Sequence, residues 1–196
     1  MRLLIATTNP GKVGEYQHLL SGLAYELVSL PEIGIVQDVA ETGATYEENA
    51  LLKAHEYAAL SGLLTLADDS GLEVDALGRR PGVHSARYAS DSPARIRQLL
   101  AEMQNIPAGE RNARFQCVIA LAWPDGRTEI TTGTCEGHIA TEARGANGFG
   151  FDPVFTVPES GLTMAELPED FKNLISHRAR AAQSMRPILE RMLREG

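Results

Sequence analysis

The chain is short of the features that mark several broad protein classes. No hydrophobic run approaches the ~20 residues that cross a bilayer, so no membrane-spanning helix and no membrane partner are expected. The start, Met1-Arg2-Leu3-Leu4-Ile5-Ala6, goes straight into strand-like sequence, without the longer apolar region and cleavage site of a signal peptide. A cytoplasmic location is the expectation. Only two cysteines are present, Cys117 and Cys135, with no Cys-x-x-Cys spacing, which argues against a zinc site or redox motif. In a reducing compartment both are expected to be small packing residues rather than a disulfide. Positive charge is also scarce: 18 Lys and Arg against 26 Asp and Glu leave a net charge of −8. That balance argues against a protein gripping nucleic acid by its phosphates. A local cluster of cations can still hold one phosphorylated small molecule. No repeat, low-complexity tract or linker interrupts the chain.

What is there suits a globular protein. The 196 residues, 43% hydrophobic and 22% charged, allow one substantial core or two small lobes. The stretch around which the rest is organised is Leu66-Ala67-Asp68-Asp69-Ser70-Gly71, an apolar run that ends in two carboxylates, a hydroxyl and a glycine. Carboxylates at the edge of a core are costly unless they hold a cation or accept hydrogen bonds. Oxygen donors of this type suit Mg²⁺, which takes one or two carboxylates and leaves its other positions to water and phosphate. An Asp-Ser-Gly turn closing a strand explains the same residues.

Along the chain, Leu3 to Ala6 reads as a buried strand, followed by Thr7-Thr8-Asn9-Pro10-Gly11-Lys12 and a helix with Val13, Tyr16 and Leu20 on one face. Thr8 or Asn9 can cap that helix and Pro10 suits its first turn. Unpaired N–H groups there would form an anion site, with Lys12 adding charge; a capped helix with a solvated lysine is the plainer alternative. Tyr25 to Leu30 reads as a second strand. Thr45 and Glu48 have capping-box spacing, which predicts a helix to about Leu60, with Asn49 and Lys53 one turn apart near its start. Glu41, in the loop before it, is either solvated or a ligand. Arg79 to Tyr88 is a turn dense in cationic groups, and Ser92-Pro93 opens a helix that buries Ile96, Leu99, Leu100 and Met103. Ala113 to Trp123 alternates as a strand, Asp125-Gly126 is a hairpin signal, and Thr128 to Ile139 returns. The loop from Arg144 to Pro153 carries Phe149, Gly150, Phe151 and Asp152. Its glycines permit close approach of a ligand and its rings can stack on a base or plug the core. A last helix runs past Ala182 and Met185 to Leu193, with a kink or restart expected near Met185 because Pro187 sits inside the pattern.

Taken together and in order, these blocks resemble the Ham1/inosine-triphosphate pyrophosphatase family. The resemblance rests on Thr7-x-Asn9-x-x-Lys12, Glu41-Thr42-Gly43-x-Thr45-Tyr46-x-Glu48-Asn49-Ala50, Ala67-Asp68-Asp69-Ser70-Gly71-Leu72, Pro81 to Tyr88, Gly148 to Pro153, and Lys172-Asn173-x-x-Ser176-His177-Arg178. It covers nearly the whole chain. It implies a two-lobed α/β fold around a long mixed β-sheet with a central cleft, one domain over 1–196 made of two interlaced lobes, and a homodimer. It further implies that Thr7, Thr8, Asn9, Pro10, Gly11 and Lys12 hold the triphosphate. Asp69 would be the catalytic, metal-coupled acid, with Ser70 beside it on the substrate and Glu41 as a second metal ligand. Phe149, Gly150, Phe151 and Asp152 would form the base pocket, and Lys172, His177 and Arg178 would complete recognition. One departure concerns Glu41: many relatives carry two acids before the Thr-Gly, and this chain has Ala40-Glu41.

The implied activity is Mg²⁺-dependent hydrolysis of non-canonical purine nucleoside triphosphates (ITP, dITP, XTP) to the monophosphate and pyrophosphate, which cleanses the nucleotide pool. Two other classes stay open on the residues: a nucleotide-binding sensor without turnover, and a carboxylate-nucleophile phosphatase, for which the usual Asp-x-Asp spacing is missing. The product made from inosine triphosphate separates all three.

Overall fold

The computed structural model describes residues 1–195 and is a mixed α/β fold. Its strands are β1 (Arg2–Ile5), β2 (Glu26–Ser29), β3 (Leu64–Val74), β4 (Arg80–Pro81), β5 (Asn112–Ala122), β6 (Thr128–Ile139) and β7 (Phe155–Thr156). Its helices are α1 (Pro10–Leu19), α2 (Tyr46–Ser61), α3 (Ser92–Glu102), α4 (Glu169–Ile175) and α5 (His177–Glu195). The sheet order is β2-β1-β3-β5-β6-β7, with β4 on β3. β1 runs parallel to β2 and β3, whereas β4 and β7 pair antiparallel with β3 and β6. The sheet is therefore mixed, as the resemblance implies.

Two compact units share the chain, which crosses the boundary at four points: after Asp69, Gln116, Gly133 and His177. The first unit holds Met1–Asp69, Cys117–Gly133 and the chain from Arg178 on; the second holds Ser70–Gln116 and Thr134–His177. Three of the boundaries fall inside strands β3, β5 and β6.

In the first unit the sheet is buried on both faces, which is why its strands read as near-continuous apolar runs. Leu3, Ile5, Leu64, Leu66, Cys117, Ile119 and Leu121 pack with Tyr16 of α1 and Ala181, Ala182, Met185 and Leu189 of α5. Their alternate neighbours Leu4, Ala6, Ala67, Val118, Ala120 and Ala122 pack with Ala50, Ala54, Tyr57 and Ala58 of α2. The narrow alanine stripe of α2 is thus its packing face. Its start is the expected capping box, with Thr45 and Glu48 each closing on the other's backbone. Asn9 caps α1 and Pro10 opens it, also as expected. Cys117 and Cys135 are buried free thiols.

In the second unit, Leu72, Val74, Phe115, Cys135 and Ile139 form a core with Leu99 of α3, with Met103 at the cap that ends it, and with Phe151, Val154, Phe155, Met164 and Leu167. Arg111 is buried with backbone carbonyls as its acceptors: Met103 O and Ile139 O, both at 2.7 Å, and Ala140 O at 2.8 Å. It ties the end of α3 to the end of β6. In the cation-dense turn, Ser85 accepts from the Leu72 N–H at 2.9 Å and donates to Gly82 O at 2.7 Å, so this hydroxyl pins the turn to β3.

Two expectations are corrected. The strand does not end in an Asp-Ser-Gly turn: β3 continues through Asp68, Asp69, Ser70 and Gly71 to Val74, with β5 as its neighbour in the sheet and β4 paired to its last two residues, Glu73 and Val74. Nor does the last helix restart near Met185, and Pro187 lies inside α5.

Candidate active site

A strand that runs on through Asp68 and Asp69 sends successive side chains to opposite faces. Leu64 and Leu66 belong to the α1/α5 side and Ala67 to the α2 side, so Asp68 faces α1 and α5 and Asp69 faces α2. The two adjacent carboxylates therefore serve different neighbours, all within the first unit.

On the α2 side, Asp69 is buried, at 6% exposure. Its Oδ2 accepts from Asn49 Nδ2 at 3.1 Å, and the Lys53 ammonium lies 3.7 Å from its Oδ1. The same ammonium sits 2.5 Å from Glu41 Oε1. Asn49 is fully buried and its Oδ1 accepts the Gly43 N–H at 2.8 Å, so one side chain orients both Asp69 and the loop that carries Glu41. Burial pushes the Asp69 carboxyl above its ordinary value. The Lys53 and Lys12 charges oppose that rise, and the Glu41 charge adds to it. Lys53 is raised: burial disfavours its charge, but Asp69, Asp68 and Glu41 together outweigh it.

Among the described residues, no group of three or more His, Cys, Asp or Glu side chains is gathered as a metal cage. Glu41 and Asp69 nevertheless converge on one ammonium, which shows that a single positive centre is reached by both. Two hard carboxylates without a protein cage are a donor set that Mg²⁺ accepts, and one that Zn²⁺, which favours Cys and His, does not require.

On the α1/α5 side, Asp68 Oδ2 lies 2.8 Å from Lys12 Nζ, 3.4 Å from Arg178 Nε and 3.5 Å from Arg178 Nη2. Arg178 is 2% exposed and its Nη1 donates to Glu15 of α1. Burial would raise Asp68, but Lys12, Arg178 and Lys53 hold it well below the usual carboxylate range. Burial and the Asp68 charge push the neighbouring Cys117 thiol up to about 12, which leaves it an inert packing group.

The turn before α1 takes the Asn9-capped form expected of it. Asn9 Oδ1 accepts the Gly11 N–H at 2.9 Å and the Lys12 N–H at 3.4 Å, and Thr7 Oγ1 accepts the Asn9 N–H at 3.2 Å. The backbone donors of Gly11 and Lys12, read from sequence as an outward-pointing anion site, are engaged by the helix's own cap, because a local Asn oxygen reaches them first. Thr8 and Pro10 are exposed and Gly11 half-buried.

The second unit gathers Phe149, Asp152 and Lys172. Asp152 Oδ2 accepts from the Phe149 N–H at 2.9 Å and from Lys172 Nζ at 2.6 Å, and the same ammonium lies 4.9 Å from the Phe149 ring centroid. Gly148 makes this closure fit: its φ is +72° and a Cβ there would meet Asp152 Oδ2 at 2.1 Å. Phe149 stays half-buried, as does Gly150, whereas the Phe151 ring is 4% exposed and belongs to the core. Of the two rings offered as stacking faces, the structure leaves Phe149 and assigns Phe151 to packing. His177 stacks on Phe115, with centroids 4.7 Å apart and planes at 16°. Ser70 opens the second unit, half-buried on β3.

Sequence reasoning did not single out Glu15, Asn49 or Lys53 as site groups, and it took Asp68 only together with Asp69 as a possible Mg²⁺ donor. A signal existed for three of them. Glu15 lies one turn after Lys12, and Asn49 and Lys53 share a face of α2 at i and i+4.

Comparison with known proteins bears on all of these blocks at once. The family model described as "Ham1 family" matches residues 3–188. A Bacillus subtilis protein named dITP/XTP pyrophosphatase is 47% identical, over 95% of this chain and 96% of its own. A Symbiobacterium thermophilum protein of the same name is 49% identical, over 100% and 98%. Among solved structures, a HAM1 protein from Coxiella burnetii superimposes with a TM-score of 0.88 at 41% identity, covering 97% of this chain and 99% of that one. A nucleoside-triphosphatase/dITP/XTP pyrophosphatase from Mycobacterium abscessus gives 0.76 at 42%, covering 95% and 100%.

Proposed function

The chain belongs to the Ham1 family, and on that premise we propose that it is a nucleoside-triphosphate pyrophosphatase acting on ITP, dITP and XTP. The observation that carries the reading is the convergence of Asp69 and Glu41 on a single positive centre, with Asn49 holding both. The names of the relatives supply the substrate class.

In this reading water attacks the α-phosphorus, the α–β phosphoanhydride bond breaks, and pyrophosphate leaves while the nucleoside monophosphate remains. Asp69 orients that water and accepts its proton. An aspartate at its ordinary ~3.9 is a weak base near neutrality, so most of the activation of the water would come from the metal. Glu41 and Asp69 would hold Mg²⁺, which supplies charge neutralisation on the phosphate oxygens and a lowered pKa for water. Lys53 holds the two carboxylates against their mutual repulsion. Lys12 takes phosphate charge, within a turn whose backbone is fixed by Asn9 and Thr7. Ser70 contacts the substrate beside Asp69.

Phe149 offers the face on which a purine stacks, and Lys172, fixed by Asp152, offers donors at its edge. His177 and Arg178 complete the recognition. Lys and Arg offer no acceptor, so such a set accepts the 6-oxo group of hypoxanthine or xanthine and opposes adenine's amino group donor to donor. Each unpaired buried donor costs ~1–3 kcal/mol, and two such mismatches reject ATP by a few orders of magnitude.

The proposal includes a homodimer, a single domain formed by both units and a cytoplasmic location. Among the described residues no helix is long and apolar enough to cross a membrane. The deciding experiment is product analysis after incubation with Mg²⁺ and either ITP or ATP. Inosine monophosphate and pyrophosphate from ITP, with far slower turnover of ATP, are the expected result. Orthophosphate alone would assign a phosphatase, and binding without product a sensor.

A further inference from the structure

Asp68 has no part in that chemistry, yet it is the most enclosed acid of the first unit's site. Its side chain is fully buried, and one of its oxygens faces donors from two distant parts of the chain: Lys12 Nζ at 2.8 Å and the Arg178 guanidinium at 3.4 and 3.5 Å. The other oxygen, Oδ1, is buried with no hydrogen-bond partner among the described residues. A carboxylate so placed is not anchoring backbone and is not solvated. Its contacts are with two cations and a thiol, Cys117 Sγ at 3.8 Å. Both cations are long and flexible, with much rotamer freedom to lose. Arg178 has a second acid, Glu15, on Nη1. Lys12 has Asp68 as its ion-pair partner.

We propose that Asp68 is a positioning residue that fixes the Lys12 ammonium and the Arg178 guanidinium by one shared oxygen, and so couples phosphate capture to base discrimination. The inference rests on the roles proposed above for Lys12 and Arg178. Strand alternation is what permits it. Asp69 faces α2 and the chemistry, while its neighbour faces α1 and α5 and sets the cations.

Asp68→Asn is the incisive variant, because the amide can keep an oxygen toward Lys12 and places its NH₂ where Oδ1 already lacks a partner. The charge is removed and the shape is kept, with the amide donors placed at the Oδ1 position. The kinetics of the folded variant on ITP and ATP are compared with the parent, and a double-mutant cycle is run with Lys12→Met. The expected result is a rise of about ten-fold or more in KM for ITP, with the ITP-over-ATP preference reduced by a similar factor and kcat changed less than KM. In the cycle, Asp68→Asn added to Lys12→Met raises KM for ITP by a smaller factor than it does in the parent, because one of the two groups through which it acts is gone. Additive losses in the cycle, or an unchanged KM and preference in the single variant, would overturn the proposal.

Should Asp68→Asn fail to fold, the double variant decides, since it removes one charge of each sign. If it folds and its ITP-over-ATP preference falls below that of Lys12→Met, positioning stands, because Arg178 has lost its acceptor; an unchanged preference would overturn it. If it also fails to fold, Asp68 belongs to the scaffold and the proposal is lost. Equal turnover of ITP and ATP by the parent would sink the base-selectivity reading instead, while the Lys12 cycle would still judge Asp68.

Discussion

Gly148 and Gly150 form a matched pair that isolates the closure of the Phe149–Asp152–Lys172 group. Both have positive φ, +72° and +64°, but a Cβ on Gly148 would meet Asp152 Oδ2 at 2.1 Å and Lys172 Nζ at 3.0 Å, whereas one on Gly150 meets nothing within 4 Å. Each alanine variant carries the left-handed backbone cost of roughly 1–2 kcal/mol. Gly148→Ala must in addition move the Asp152 carboxylate off the part-buried Phe149 N–H or off the buried Lys172 ammonium, both charge-assisted bonds, each contributing about 1.5–3 kcal/mol. The expectation is a loss of roughly 1–2 kcal/mol for Gly150→Ala and about 2.5–5 kcal/mol for Gly148→Ala. For a chain of this length the difference of about 1.5–3 kcal/mol corresponds to a further fall in Tm of about 3–12 °C. Urea unfolding of the two variants beside the parent measures it, and KM for ITP in 148 should rise well above that in 150. If the two variants unfold within about 0.5 kcal/mol of each other, the closed arrangement around Asp152 is not what Gly148 serves.

Further outcomes follow from the first unit. Asp69→Asn should lower turnover at least ~100-fold while leaving the fold intact; a rate within a few-fold of the parent would remove Asp69 from the chemistry. The same variant carries a stability signature. The folded Asp69 carboxyl is raised above its unfolded value, so its contribution is fully present below ~3.9 and is lost as pH rises through the folded value. In excess chelator Asp69→Asn should therefore gain on the parent in Tm from acid toward pH 7, with no gain at acid pH, and a gap of opposite sign would refute the burial argument. Chelating Mg²⁺ should abolish hydrolysis. Free Mg²⁺ at 100 times its Kd should stabilise the parent by about 2.7 kcal/mol, or about 5–11 °C, and Glu41→Gln much less. Arg178→Lys keeps the charge but loses the fork that reaches both Glu15 and Asp68; its efficiency on ITP should fall by on the order of ten- to a hundred-fold, with ATP little affected.

What the sequence determined by itself was local. The Asn9 cap and Pro10 start of α1, and the Thr45–Glu48 capping box of α2, depend on groups at most four residues apart, so their chemistry is complete within the segment. The hairpin signal at Asp125-Gly126 and the apolar alternation of β5 are of the same kind. The order of blocks also sufficed to identify the family, because each block was read as a string and needed no contact between strings. Tertiary structure decided which groups meet. Whether β3 stopped or ran on at Asp68 depended on neighbouring strands distant in sequence, β5 and β4, and its running on parted the two aspartates onto opposite faces. Glu15 and Arg178 are 163 residues apart in sequence, and Asp68 and Arg178 are 110 apart. No local pattern marks either pair, since a buried ion pair is stabilised only when packing brings both members out of water together. Phe149 and Phe151 differ by two positions in a glycine-rich loop, and only the surrounding core of Phe155, Val154 and Leu167 sent one ring inward and left the other half-exposed.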